Sequence, residues 1–183
     1  MIPVELQTAN LLMRPFAPGD GAAVYAYWRS DPGLERFNTS VPSGFTEKDA
    51  NDFVAEMCCR RRSDQPHWAL VHDNIAVGVV SLTFEEGHKA AIVGYGIHAD
   101  LRGRGMCAEA AAIILNSAFS EYSELHTIRA HTDARNIPSI RVLEKLGFSR
   151  ELAHGHNASD GGQSHREATF RLLRTEWRPQ NDA

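Results

Sequence analysis

The segment AAIVGYGIHADLRGRGMCAEAAAIILNSAFSEYSELHTIRAHTDARNIPSIRVLEKLGF, Ala90 to Phe148, decides the fold. It reads as strand, glycine turn, long helix, strand, loop and short helix. Ala90 to Ile97 is rich in β-forming residues and bounded by polar ones, which predicts a strand. Arg102-Gly103-Arg104-Gly105 then leads straight into an apolar helix expected from Met106 to Phe119. A glycine turn at a helix start leaves several backbone N–H groups without intrahelical partners and pointing one way. That nest, with the positive end of the helix dipole behind it, suits a phosphate or pyrophosphate. Arg102 and Arg104 are expected to add positive charge beside it. His126 to Thr132 reads as the next strand, and Pro138 to Leu146 as a helix closed by Gly147.

These residues carry a family resemblance. Arg102-x-x-Gly105-x-Cys107 resembles the acetyl-CoA signature (Arg/Gln)-x-x-Gly-x-(Gly/Ala) of the GNAT N-acetyltransferases. The run Asn136-Ile137-Pro138-Ser139 through Lys145-Leu146-Gly147-Phe148 is similar to a block of the RimJ/RimL-like branch of that superfamily. Leu11-Leu12-Met13-Arg14-Pro15-Phe16 and Glu176-Trp177 fit the same branch, so the resemblance spans most of the chain. One departure is Cys107, which stands where the signature has Gly or Ala; being small, it is expected to crowd the cofactor slightly and not to prevent binding.

The resemblance implies an α+β fold: a mixed, mostly antiparallel sheet of about six to seven strands flanked by about four helices, with splayed central strands. Acetyl-CoA is the implied co-substrate, its pantetheine arm lying between the strands at Ala90 and His126. Residues Arg102, Gly103, Arg104, Gly105, Met106 and Cys107 are expected to hold the pyrophosphate, chiefly through backbone N–H groups. The strand end Ile97, His98 and Ala99 is expected to bind the pantetheine amides as an added strand would, and to polarise the thioester carbonyl. The resemblance further implies that Asn136 contacts the pantetheine arm and that Ser139 protonates the leaving thiolate. The plainer alternative is that Asn136 only caps a helix of which Ser139 is an ordinary first-turn residue.

At 183 residues, with 43% hydrophobic and 23% charged residues, the chain is expected to form one domain over 1–183 with its acetyl-CoA core at 90–148. A net charge of −4 gives no general attraction to nucleic acid or anionic membrane. No apolar run reaches the roughly 18 residues of a membrane helix, and the first residues lack a signal-peptide layout. Cys58, Cys59 and Cys107 are an odd count with two adjacent, which argues against a disulfide framework; a reduced, cytoplasmic protein is expected.

Outward from the central segment, Asn10 to Phe16 reads as a first strand. Asp20 is expected to cap a helix from Gly21 to Arg29 with Val24, Tyr25 and Trp28 on one face. Thr46-x-x-Asp49 resembles a capping box that opens a second amphipathic helix carrying Ala50, Phe53, Val54 and Met57. Arg60-Arg61-Arg62 at its end are read as cations on the negative helix terminus, with a phosphate patch as the alternative. His67 to Val71 and Ile75 to Phe84 form an expected hairpin, and Glu167 to Arg174 a last strand. Glu151 to His165 reads as a polar, glycine-rich loop.

Transfer to an amine needs a base, and the sequence assigns none firmly. A side-chain amine near pKa 10.4 is almost wholly protonated at neutral pH, whereas an α-amine near 7.7–8.0 is roughly a tenth neutral. The resemblance implies a glutamate in the loop after Gly147-Phe148, but that place falls near Asn157 and Ala158. His154 and His156 are the candidate bases, with Asp160 and His98 as further substitutes. The same histidines with His165 lack fixed metal-ligand spacing, so no metal site is expected. The acceptor, a peptide N-terminus or a small amine, is expected to meet the first two helices, the Asn38–Gly44 loop and the His154–His165 loop. Glu35, Glu85, Glu86 and Asp160 are read either as attracting a cationic acceptor or as solvated surface. A dinucleotide fingerprint is excluded by its missing third glycine, and a P-loop by a missing Gly-Lys-(Ser/Thr). A non-catalytic acyl-CoA sensor is the alternative function, and both monomer and homodimer remain open.

Overall fold

The computed structural model describes residues 2–36, 41–60, 65–151, 157–160 and 163–179. In chain order these form β1 (Leu6–Gln7), β2 (Leu12–Arg14), α1 (Gly21–Arg29), α2 (Glu47–Cys59), β3 (His67–His72), β4 (Ile75–Phe84), β5 (Ala90–Ile97), α3 (Met106–Glu121), β6 (Thr127–Asp133), α4 (Ile137–Lys145), β7 (Ser149–Arg150), β8 (Asn157–Asp160) and β9 (Gln163–Leu173). The strands are ordered β1-β2-β3-β4-β5-β6-β9-β7, with β8 paired to β9. Every pairing is antiparallel except β5 with β6. The α+β class, the mostly antiparallel mixed sheet and the four α-helices are as expected. The strand count among the described residues is higher than expected, at nine. Two of the additions, β1 and β7, are two-residue pairings too short to leave a periodic signal.

Alternation along the strands divides the core into two layers. On one face Val80, Leu82, Ala91, Val93, Ile128, Ala130, Phe170 and Leu172 pack against α3 and α4. On the other, Ala69, Val71 and Ala76 pack against α1 and α2 through Val24, Trp28, Ala50, Val54 and Met57. α3 is apolar on nearly all sides, with nine buried residues, because alanine lets it lie close to the sheet. Arg174 ties its C-terminal end down by donating to the carbonyls of Leu125 (2.8 Å), Phe119 (2.5 Å) and Tyr122. Trp177 Nε1 donates to Asn116 Oδ1 at 2.9 Å from the same run.

The central strands part as expected. β5 pairs with β6 only from Ala90↔Thr127 to Ile92↔Arg129. Beyond that point β5 continues on β4 as far as Ile97↔Gly78, and β6 continues on β9 as far as Asp133↔Glu167. A wedge therefore opens between two strands that are each supported on their outer side. Gly78 allows the close approach there, since a Cβ would lie 2.2 Å from the Gly96 carbonyl oxygen.

Three local expectations are corrected. Asp20 does not cap α1 with its side chain. Its carboxylate instead takes a two-pronged bond from Arg14, 2.8 Å on each oxygen, and accepts from the Ala17 N–H at 2.8 Å. The buried stripe of α1 runs through Val24, Tyr27 and Trp28, with Tyr25 only half-buried and edge-on to Phe45. Gly21 is pressed onto α2, where a Cβ would meet Asn51 Oδ1 at 1.8 Å. The polar run after Glu151 is not simply a loop: Asn157 to Asp160 pair with Gln163 to Arg166, so β9 begins four residues before Glu167. Backbone pairing needs no apolar alternation, which is why the sequence hid it.

The capping box and the hairpin turn are present as expected. Thr46 Oγ1 accepts from the Asp49 N–H at 3.4 Å, and Asp49 accepts from the Thr46 N–H at 2.7 Å, completing the capping box. Arg60, the C-cap of α2, bonds Glu56 and Gln65; Arg61 and Arg62 lie outside the described residues. Asp73 and Asn74 both have positive φ, 49° and 65°, as a two-residue hairpin turn requires.

Candidate active site

The anion nest is formed by Gly103 and Gly105, with φ of 76° and 83°, which turn the chain into α3. Gly105 is the N-cap, and no side chain satisfies this helix end. The N–H groups of Met106, Cys107 and Ala108, which have no acceptor within the helix, are thus available to a ligand. The positive charge is distributed differently from expectation. Arg102 is drawn sideways to Asp31 at 2.6 Å, and Arg104 is exposed. Lys145 at the end of α4, which the sequence reading left out, brings its Nζ to 4.0 Å from where a Gly105 Cβ would stand. Cys107 is half-buried behind the turn, and its thiol is pushed up to about 12 by burial, so it is no nucleophile at neutral pH.

The nest opens into the wedge, and together they form a cleft of about 1320 Å³ lined by β5 from Ile92 to Ile97, β6 from Ala130 to Asp133, and the start of α4. The His98 N–H bonds the Val77 carbonyl at 2.7 Å, toward β4. Because backbone groups alternate sides along a strand, the N–H groups of Tyr95 and Ile97 face the wedge. This shifts the expected pantetheine edge. Of Ile97, His98 and Ala99, only Ile97 keeps its N–H toward the cleft, since the Ala99 N–H bonds Ser30 Oγ at 3.0 Å. The His98 ring lies beside Tyr25, Arg29 and Asp100, apart from the residues that line the cleft.

Asn136 caps α4 through its Oδ1, which accepts from the Ser139 N–H at 3.3 Å, and it also lines the cleft. Capping and contact with the cleft therefore coexist. Ser139 faces Tyr95 across the wedge. Tyr95 Oη lies 3.1 Å from the Ser139 carbonyl and 3.2 Å from its Oγ. A carbonyl can only accept, so it takes the one proton of Tyr95, and the Ser139 hydroxyl is the donor of the pair. Burial pushes the Tyr95 phenol up, so it stays protonated. Tyr95 was missed because an aromatic residue in a strand reads as packing.

On the opposite side of the sheet the cleft runs beneath α1 and α2, past Phe16, Trp28, Phe53 and Glu35. Tyr27 projects there, and its buried hydroxyl has no hydrogen-bond partner among the described residues. A Cβ on Gly96 would lie 2.2 Å from that oxygen, so glycine is what admits the phenol to the strand end. Glu35 accepts from the Gly44 N–H at 3.3 Å, and Glu85 pairs with Arg129 at 2.9 Å. His154 and His156 lie outside the described residues, as do the side chains of Glu86, Asp160 and His165.

A further pair lines the cleft: His131 of β6, with Nδ1 at 2.8 Å from Glu167 Oε1 of β9. The two residues are far apart in the chain and meet only through antiparallel pairing, so no spacing rule finds them.

Known proteins resemble this chain in sequence and fold. Residues 10–149 match the family described as "Acetyltransferase (GNAT) domain". The chain is 30% identical over 175 residues to an uncharacterized N-acetyltransferase of Bacillus subtilis, YnaD, covering 95% of this chain and 99% of that one. Among solved structures, a GNAT-family acetyltransferase from Bacillus anthracis superposes with a TM-score of 0.80 at 28% identity, over 94% of this chain and 99% of that one. RimJ of Mycobacterium smegmatis, solved in complex with CoA-disulfide, shares the fold with a TM-score of 0.76 at 22% identity, over 91% of this chain and 83% of that one.

Proposed function

This chain belongs to the GNAT acetyltransferase family, and from that premise we propose a RimJ/RimL-like N-acetyltransferase, a single domain working in the cytoplasm. It moves the acetyl group of acetyl-CoA, the donor used by this family, to a primary amine by direct attack in a ternary complex. The acceptor is a peptide N-terminus or a small amine. The observation that carries this reading is the wedge between β5 and β6, with an anion nest at its mouth and the Ser139–Tyr95 hydroxyl pair inside it.

Each part has one task. The N–H groups from Met106 to Ala108, with Lys145 beside them, hold the pyrophosphate. Tyr95 and Ile97 offer N–H groups to the arm as a neighbouring strand would, and one of them polarises the thioester carbonyl. Ser139 gives its proton to the departing sulfur, and Tyr95 fixes the direction of that hydroxyl. The acceptor approaches from the side of α1 and α2, where the groove continues.

The test is thiol release from acetyl-CoA with alaninamide, spermidine, an aminoglycoside and peptides with free N-termini, alongside calorimetry of acetyl-CoA binding. Thiol release with one acceptor class is expected. Gly105→Asp, which sets bulk and negative charge in the nest, is expected to abolish acetyl-CoA binding, and unchanged affinity would remove this cofactor site. Binding without turnover on any amine would favour a non-catalytic acyl-CoA sensor.

A further inference from the structure

We propose that His131 is the general base of the transfer and that Glu167 is its positioning residue, an inference that rests on the acetyltransferase reading above. Continuing the β5–β6 register past Ile92↔Arg129 sets His131 across the wedge from Gly94, one residue from the Tyr95 N–H that faces the cleft. Alternation decides which face it occupies. Ile128, Ala130 and Thr132 are buried, so Arg129, His131 and Asp133 point to the face that α1 and α2 share. That is the side from which the acceptor groove reaches the wedge.

The imidazole is held for the task. Glu167 Oε1 lies 2.8 Å from Nδ1, and Thr169 Oγ1 lies 3.4 Å from the same nitrogen. A carboxylate at Nδ1 selects the tautomer with its proton there and leaves the Nε2 lone pair free to accept one. Glu167 is the diagonal neighbour of His131 across the β6–β9 ladder, where Thr169 is the direct one. The other charges nearby are paired: Arg129 with Glu85 at 2.9 Å, Asp133 with Arg135 at 2.6 Å, and Arg171 with Glu151 at 3.8 Å. Glu167 is therefore the carboxylate that orients the His131 ring. His131 is exposed enough, at 39% for the side chain, to meet an acceptor or a water.

The proton balance closes. An acceptor ammonium gives one N–H proton to Nε2 of His131, which passes it to solvent. The freed lone pair forms the C–N bond as the C–S bond breaks. Ser139 gives its proton to sulfur and is replenished by the second N–H proton of the adduct. The net change is an amide, a free thiol and one released proton.

The experiment measures thiol release from saturating acetyl-CoA with alaninamide and spermidine across pH 5.5–9.5 for wild type, His131→Gln, Glu167→Gln and Glu167→Asp, with calorimetry of acetyl-CoA binding for each. Supporting the proposal, His131→Gln lowers kcat by roughly 10²–10⁴-fold and leaves an acidic limb set by the acceptor amine alone, while acetyl-CoA affinity is unchanged. Glu167→Gln lowers kcat with acetyl-CoA affinity unchanged, because the carboxylate that fixes the Nδ1–H tautomer and holds the ring is gone, and Glu167→Asp restores part of the rate. A wild-type rate and profile in His131→Gln overturns the base and leaves the acetyltransferase reading standing. Acetyl-CoA binding with no thiol release from either amine in wild type overturns the acetyltransferase reading for these acceptors, and the base with it.

Discussion

Ser139 is held by Tyr95. A serine in the first turn of a helix ordinarily shares its hydroxyl with nearby backbone. Here the phenol lies 3.1 Å from the Ser139 carbonyl and 3.2 Å from Oγ, so the serine hydroxyl donates to Tyr95 and must turn from it to protonate a thiolate. A donor of this kind acts mainly in the transition state, so Ser139→Ala is expected to lower kcat by roughly 10²-fold while acetyl-CoA affinity by calorimetry barely moves. A wild-type rate would hand the proton to Tyr95 or to water. The sequence pointed to Ser139 and Asn136 through a motif. It gave no site role to Tyr27, Tyr95, Lys145, His131 or Glu167, whose side chains matter through what lies opposite them and not through local spacing.

At the scale of elements, short-range chemistry was legible wherever a single turn settles it. Gly147, at φ 84°, ends α4 with a paired closure: its N–H bonds the Glu144 carbonyl and that of Phe148 bonds the Leu143 carbonyl, each at 3.0 Å. Leu143 and Phe148 are both buried, as that helix stop prefers, so the Lys145-Leu146-Gly147-Phe148 run is first a piece of helix-end physics. Asp20 was misread because its long-range partner outbid the local one. Burial alone would raise the Asp20 carboxyl, but the hydrogen bonds from Arg14 and the Ala17 N–H outweigh it and hold it below the usual range. The Asp31 carboxyl is likewise lowered, against burial, by Arg102 and the Gly33 N–H. Folded values below the unfolded value near 3.9 mean that this stabilisation is complete above that pH and is lost as pH falls through the folded values. Asp20→Asn is expected to cost roughly 2–3 kcal/mol at pH 7, by urea denaturation, because it strips the partner from a mostly buried guanidinium. The deficit relative to wild type should shrink below about pH 4, and a pH-independent deficit would show that packing and not charge is lost.

For the whole molecule, two helical layers hold β4 and β5 on one side of the wedge and β6 and β9 on the other, so the cleft exists without any segment having to move to create it. A preformed site that binds only the folded chain must stabilise it. At acetyl-CoA a hundredfold above its Kd, linkage predicts about 2.7 kcal/mol, or a Tm rise of roughly 5–11 °C for a chain of this length. Gly105→Asp should show no such rise. An equal rise in the variant would place the bound molecule elsewhere.

By itself the sequence determined the alternation of strands and helices, the glycine turn into α3 and the helix stops, because each is fixed by contacts within a few residues: a glycine at positive φ, a capping box, a periodic apolar face. Only the tertiary structure decided where β5 and β6 part, which backbone N–H groups that parting leaves to a ligand, and that His131 meets Glu167. Those depend on the register between strands distant in the chain, and register is set by the packing of the whole sheet between its two layers, which no local pattern encodes.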